Sequence, residues 1–112
     1  MSGAHSRRKG RRFELDLVHR FREVMPDAEI KRGLQYRTGE EAPDVDVPCF
    51  WVEAKHHHRT NVRAALAQAT AAAPKGRWPI AICKDTRQPP LVAIELDDFL
   101  EFVREWWRGN QA

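Results

Sequence analysis

A chain of 112 residues has the length of one domain and can bury one core. An apolar fraction of 42% with four tryptophans excludes a disordered chain, and no apolar run approaches membrane-spanning length. The net charge of +3 is modest, but its placement is not even: Arg7, Arg8, Lys9, Arg11 and Arg12 crowd the N-terminus, and Lys31, Arg32, Arg37, Arg59 and Arg63 flank a short acidic stretch.

The first nine residues, short, polar and basic, are expected to form a mobile arm ahead of a single domain over residues 10–112. From about residue 10 to 25 the apolar positions Phe13, Leu17, Phe21, Val24 and Met25 recur at helical steps, and Pro26 stops the helix. Within it Glu14 neighbours Leu17, Val18 and Phe21 and is turned toward the apolar seam, whereas Asp16 neighbours His19 and Arg20 on the polar side. A short strand over residues 28–32 leads into a polar loop through Gly33 and Gly39, and two further strands are expected near 44–47 and 50–56. Thr60 or Asn61 caps a second helix running to about Ala73, where Pro74, Lys75 and Gly76 end it. Residues 79–84 read as a buried strand and 91–95 as another, followed by a helix that Asp97 or Asp98 caps and that carries Phe99, Leu100, Val103, Trp106 and Trp107. The order αβββαββα is that of an α/β domain with helices packed on a small mixed sheet.

The two cysteines, Cys49 and Cys83, lie in strand-like runs and are expected to be reduced and buried, as in an intracellular protein. With no apolar leader at the N-terminus, a cytoplasmic location is expected.

The chemistry concentrates between residues 42 and 55. Phe50, Trp51 and Val52 run into Glu53 and Lys55, which alternate onto one face of a strand while Val52 and Ala54 take the other. If Pro48 and Cys49 make a tight turn, Val47 faces Phe50, Asp46 faces Trp51, Val45 faces Val52 and Asp44 faces Glu53, with directly opposed Cβ atoms roughly 4.5–5.5 Å apart. Proline does not suit the favoured two-residue hairpin turns, so a longer loop or bulge remains open. Two carboxylates this close repel and raise each other's pKa unless a cation lies between them, and hard divalent ions take one or two carboxylates together with substrate phosphate. Lys55 suits a role on an attacking water or on charge developing at phosphate. The simpler alternatives are a Glu53–Lys55 surface ion pair and, for Glu14, a carboxylate favoured by the helix dipole.

Glu14 in the first helix, Pro43-Asp44, Glu53-Ala54-Lys55 and Gln68 in the following helix together resemble the PD-(D/E)XK nuclease superfamily, and within it the small Holliday junction resolvases of archaea and phages. The resemblance covers about residues 10 to 105. It implies a restriction-endonuclease-like fold and an endonuclease in which Asp44, Glu53 and the carbonyl of Ala54 hold Mg2+, with Mn2+ as a substitute. Glu14 would complete the acidic site through water, and Lys55 would assist the water nucleophile. It further implies a homodimer acting on four-way junction DNA, within the cytoplasm of a bacterial or archaeal host if the gene is phage-borne. Arg11, Arg12, Arg32, Gln35, Arg37, Arg59, Arg63 and Gln68 would meet the DNA, with Asp46 a rival to Asp44 as ligand. His56, His57 and His58 fit no ligand pattern, since adjacent strand residues cannot all face one ion; partly charged imidazoles near phosphate are the simpler expectation. Trp106 and Trp107 either cover the monomer's core or sit in the dimer interface. Two other functions stay open: a nuclease of the same superfamily with another substrate, such as a restriction or repair nickase, and a non-catalytic DNA-binding module.

Overall fold

A computed structural model describes residues 3–33 and 41–110. Its elements are α1 (Gly3–Val24), β1 (Lys31–Arg32), β2 (Val45–Val47), β3 (Phe50–His57), α2 (Val62–Ala72), β4 (Trp78–Asp85), β5 (Leu91–Ala93) and α3 (Leu96–Asn110). The five strands form one mixed sheet in the order β1-β2-β3-β4-β5, antiparallel except for the β3–β4 pair. That parallel step needs a crossover, and α2 supplies it. Both the element order and the α/β architecture are as expected from the sequence.

Alternation along β3 separates the two faces. Val45, Val47, Val52, Ala54, Ile80 and Ile82 meet Phe13, Leu17 and Val18 of α1 to form the main core. Ala81 and Cys83 face Ala65 of α2 in a smaller second core. Alanines at Ala65 and Ala69, both buried, let α2 lie close against the sheet. Asn61 caps that helix by accepting a 3.0 Å hydrogen bond from the Ala64 amide.

Boundaries moved where burial does not mark them. Helix α1 begins at Gly3, well before residue 10, so residues 3–9 are helical; they bury no core side chain and so leave no apolar stripe to read. Gly10 lies inside the helix, where a Cβ would meet nothing. Asp97 and Asp98 sit in the first turn of α3 instead of capping it. Cys83 is buried as expected, but Cys49 is exposed because it occupies the β2–β3 turn, not a strand.

That turn also resolves the difficulty with proline. Cys49 has φ of 74°, so Pro48 at the first central position and a left-handed residue at the second match the requirements of a type II turn. The expected register follows: Val45 opposite Val52, Asp46 opposite Trp51, Val47 opposite Phe50.

Helix α3 stands apart from this packing. Phe102 anchors it, with ring centroids 5.8 Å from Phe50 and 5.5 Å from Trp78, yet no residue of the helix is fully buried. Trp106 and Trp107 are each 57% exposed, so they do not cover the core of this chain.

Candidate active site

Three features of the chain bring Asp44 to Glu53. The β2–β3 ladder delivers Asp44 to its open end, where the backbone leaves regular pairing: the Asp44 amide donates to the carbonyl of Val52 at 2.8 Å. Its side chain then does the work of a missing strand, Oδ2 accepting a 2.9 Å hydrogen bond from the Ala54 amide. Finally, Gly33 at the end of β1 donates its amide to the Asp44 carbonyl at 3.2 Å, and a Cβ there would collide with the carbonyl of Pro43. Only glycine permits that approach. Asp44 is thus not directly opposite Glu53 in the ladder, but bonded across to the residue after it.

Glu53 is 3% exposed, the one charged side chain among the buried described residues, and its Oε2 has no hydrogen-bond partner. Buried polar atoms are normally paired, so such an orphan asks for an explanation. Burial pushes its carboxyl up to about 7 from an ordinary 4.5, reinforced by the charge of Asp44 and by hydrogen bonding to that carboxylate, against the opposing pull of Lys55. The indole of Trp51 exerts a weaker lowering effect without closing a hydrogen bond of ordinary geometry, since Nε1 is itself buried without a partner.

Glu14 approaches from the other layer. Burial raises its pKa, the hydrogen bond from Arg32 opposes this, and the charges of Asp44 and Lys55 act on it in opposite senses. Asp44 and Lys55 therefore influence both glutamates, and Glu14 is not among the groups that shift Glu53. The four residues form a chain of interactions with Asp44 in the middle.

Arg32, expected to meet DNA, is partly exposed and engaged by an acid of α1. Its Nε and Nη2 both reach Oε1 of Glu14 at 2.9 Å, which commits the guanidinium to holding that carboxylate. Asp46 is likewise occupied, by Arg77 at 3.0 Å, which leaves Asp44 as the aspartate beside Glu53. Of the other basic positions, Arg11, Arg12, Arg59 and Arg63 are exposed, as is Gln68 on α2; Gln35 and Arg37 lie outside the described residues. His57 and His58 are exposed, while His56 stacks edge-on against Phe13 with centroids 5.5 Å apart. Burial, then Lys9, Lys84 and His57, lower the His56 pKa and so disfavour its charged form.

The sequence offered no signal for Arg77 or for Asp85. Asp85 Oδ1 accepts hydrogen bonds from the Thr60 amide at 2.8 Å and hydroxyl at 2.7 Å, and the Thr86 amide reaches the carbonyl of His57 at 3.2 Å. This clasp fixes the start of the loop into α2, and with it Arg59. Gly33 was visible as a loop glycine, but its role needs the fold.

Among the described residues, no group of three or more His, Cys, Asp or Glu side chains is gathered as a metal-holding set. Two carboxylates and a strand carbonyl remain a sufficient protein contribution for Mg2+, which keeps waters and recruits substrate phosphate. The partnerless Oε2 and the raised carboxyl of Glu53 fit that donor set, since a cation would relieve both. No family model, no curated protein and no solved structure matches the chain. No helix among the described residues is long and apolar enough to cross a membrane.

Proposed function

We propose that the chain is a Mg2+-dependent, structure-selective DNA endonuclease of restriction-endonuclease-like fold, acting on four-way junctions. The observation that carries the proposal is the Asp44–Glu53 pair: a buried carboxyl with a free oxygen, held against a second carboxylate whose own position is fixed by backbone hydrogen bonds. A structural ion pair has no use for an orphaned oxygen, and a purely DNA-binding module has no use for clustered acids that repel phosphate.

Asp44, Glu53 and the carbonyl of Ala54 would hold the ion, which when bound supplies Lewis acidity and a water of lowered pKa. Asp44 is oriented for this by the Ala54 amide, which donates to Oδ2. Lys55, alternating with Glu53 on the same face of β3, contributes a positive charge where the phosphodiester becomes more negative and can hold the attacking water. Arg32 fixes Glu14, and Glu14 adds an acceptor for water at the edge of the site. Exposed Arg11, Arg59 and Arg63 meet backbone phosphates, which position the duplex without reading its sequence. A second copy would cover the exposed Phe99, Leu100, Trp106 and Trp107 of α3, giving the two active sites that paired nicks require.

Incubation with a labelled synthetic four-way junction in Mg2+ is expected to give symmetric paired nicks, and none in EDTA. Asp44→Asn and Glu53→Gln should each abolish cleavage while sparing junction binding. Full activity in either variant refutes the site. Cleavage of linear or nicked duplex at equal rate would keep the chemistry and reassign the substrate.

A further inference from the structure

A second cleft, basic at its rim, lies on the α1 side of the sheet and takes no part in the chemistry of the acidic pair. It has a volume of about 260 Å3 and is lined by Lys9, Arg12, Phe13, Asp16, His56 and Lys84. The four α1 residues follow i, i+3, i+4, i+7 spacing and so share one helix face. His56 and Lys84 come from paired positions at the ends of β3 and β4, where the parallel register sets them side by side. Two elements, α1 and β4, therefore bring three full positive charges around one opening, against the single carboxylate of Asp16.

These cations are available. Among the described residues Lys9 and Arg12 form no ion pair, and Lys84 is oriented but not neutralised, donating to the Gln88 carbonyl at 2.7 Å and the Asp85 carbonyl at 3.4 Å. An ammonium has three donors, so one remains for a ligand. The ring of His56, held edge-on against Phe13 with centroids 5.5 Å apart, completes the wall of the cleft. At about 30 Å3 per water the cleft accommodates roughly nine waters, enough for a hydrated phosphate group.

We propose that this cleft binds a backbone phosphate of the DNA, away from the scissile one. The inference rests on the nuclease reading for the identity of the polymer, not for the site. His56 follows Glu53 by three residues and so takes the opposite face of β3, the one that Val52 and Ala54 turn toward α1, which sets the cleft apart from the acidic pair.

The test is fluorescence anisotropy with a labelled junction in EDTA, across a series of salt concentrations, for Lys9→Ala, Arg12→Ala, Lys84→Ala and, as a control of equal charge on α3, Arg104→Ala. Each cleft variant is expected to weaken binding, and Lys9→Ala/Arg12→Ala/Lys84→Ala together to reduce the slope of log K against log salt by about 0.9, the value for one phosphate contact on B-form DNA. Asp16→Asn is expected to act in the opposite sense and tighten binding. Cleft variants indistinguishable from Arg104→Ala, or no effect of Asp16→Asn, would overturn the proposal. Because nothing is cleaved in EDTA, a protein that never cuts DNA would still pass or fail this test, while one that cuts with unchanged slopes would lose the cleft and keep the nuclease.

Discussion

Glu53→Gln separates the cost of the acidic pair from its use. Glutamine has the shape of the protonated glutamate but carries no charge, so it removes the burden that raises the Glu53 carboxyl from 4.5 to about 7. One pKa unit corresponds to about 1.36 kcal/mol, which makes about 3 kcal/mol the ceiling for the whole shift. Solvent that reaches Asp44 and Lys55 screens part of it, leaving roughly 2 kcal/mol. The folded value lies above the unfolded one, so the folded protein holds this proton more tightly. That stabilisation is complete below pH 4.5 and disappears as pH rises through 7. In urea denaturation with EDTA, wild type and Glu53→Gln should therefore be equally stable near pH 4.5, and the variant should be more stable by roughly 2 kcal/mol at pH 8. Mg2+ at a hundred times its dissociation constant should restore about 2.7 kcal/mol to wild type at pH 8 and nothing comparable to the variant. A stability difference that does not change with pH, or a wild type that is the more stable at pH 8 without metal, would refute the argument that this carboxyl is held in conflict for the sake of a cation.

Other changes probe the supports of the site. Gly33→Ala should displace the Pro43–Asp44 segment, costing about 1–3 kcal/mol of stability and most of the cleavage activity, as thermal melts and junction assays will show. Arg32→Ala leaves Glu14 half-buried without its partner and should destabilise by about 1–3 kcal/mol, much of it recovered in Arg32→Ala/Glu14→Gln, a double-mutant cycle that isolates the pair. Cys49→Gly removes a left-handed non-glycine residue from the hairpin turn and should stabilise by about 0.5–1 kcal/mol after the entropy of glycine is deducted, measured as a shift in urea midpoint. Trp106→Lys/Trp107→Lys should leave the chain folded by circular dichroism and convert the proposed dimer to monomer in analytical ultracentrifugation; a chain that is monomeric before substitution contradicts that proposal.

What the sequence made legible is what repeats or punctuates. The stripe of Phe13, Leu17 and Val18, the alternation through β3 and the proline and glycine stops gave the element order, and the Val45–Val52 register followed from a two-residue turn. The candidate site was legible at Asp44, Glu53 and Lys55 because charges beside an apolar strand break its pattern. What was hidden depended on long-range approach. Nothing local tells that Arg32 turns inward to Glu14, 18 residues away, or that Arg77 takes Asp46, 31 residues away. The extension of α1 to Gly3 was hidden for the opposite reason: a helix turn in solvent buries nothing, and without burial there is no periodicity. The cleft lined by Lys9 and Lys84 combines both difficulties, since its charges read as scattered surface residues until the packing of α1 beside the ends of β3 and β4 brings them to one place.

The central claim is that two acidic side chains and a strand carbonyl seat a hard divalent ion. Crystals grown with Mn2+ and examined at its absorption edge test it most directly. The account predicts one strong anomalous peak in contact with the carboxylates of Asp44 and Glu53 and the carbonyl of Ala54, absent from Glu53→Gln. A peak elsewhere on the chain, or none at saturating Mn2+, would contradict it.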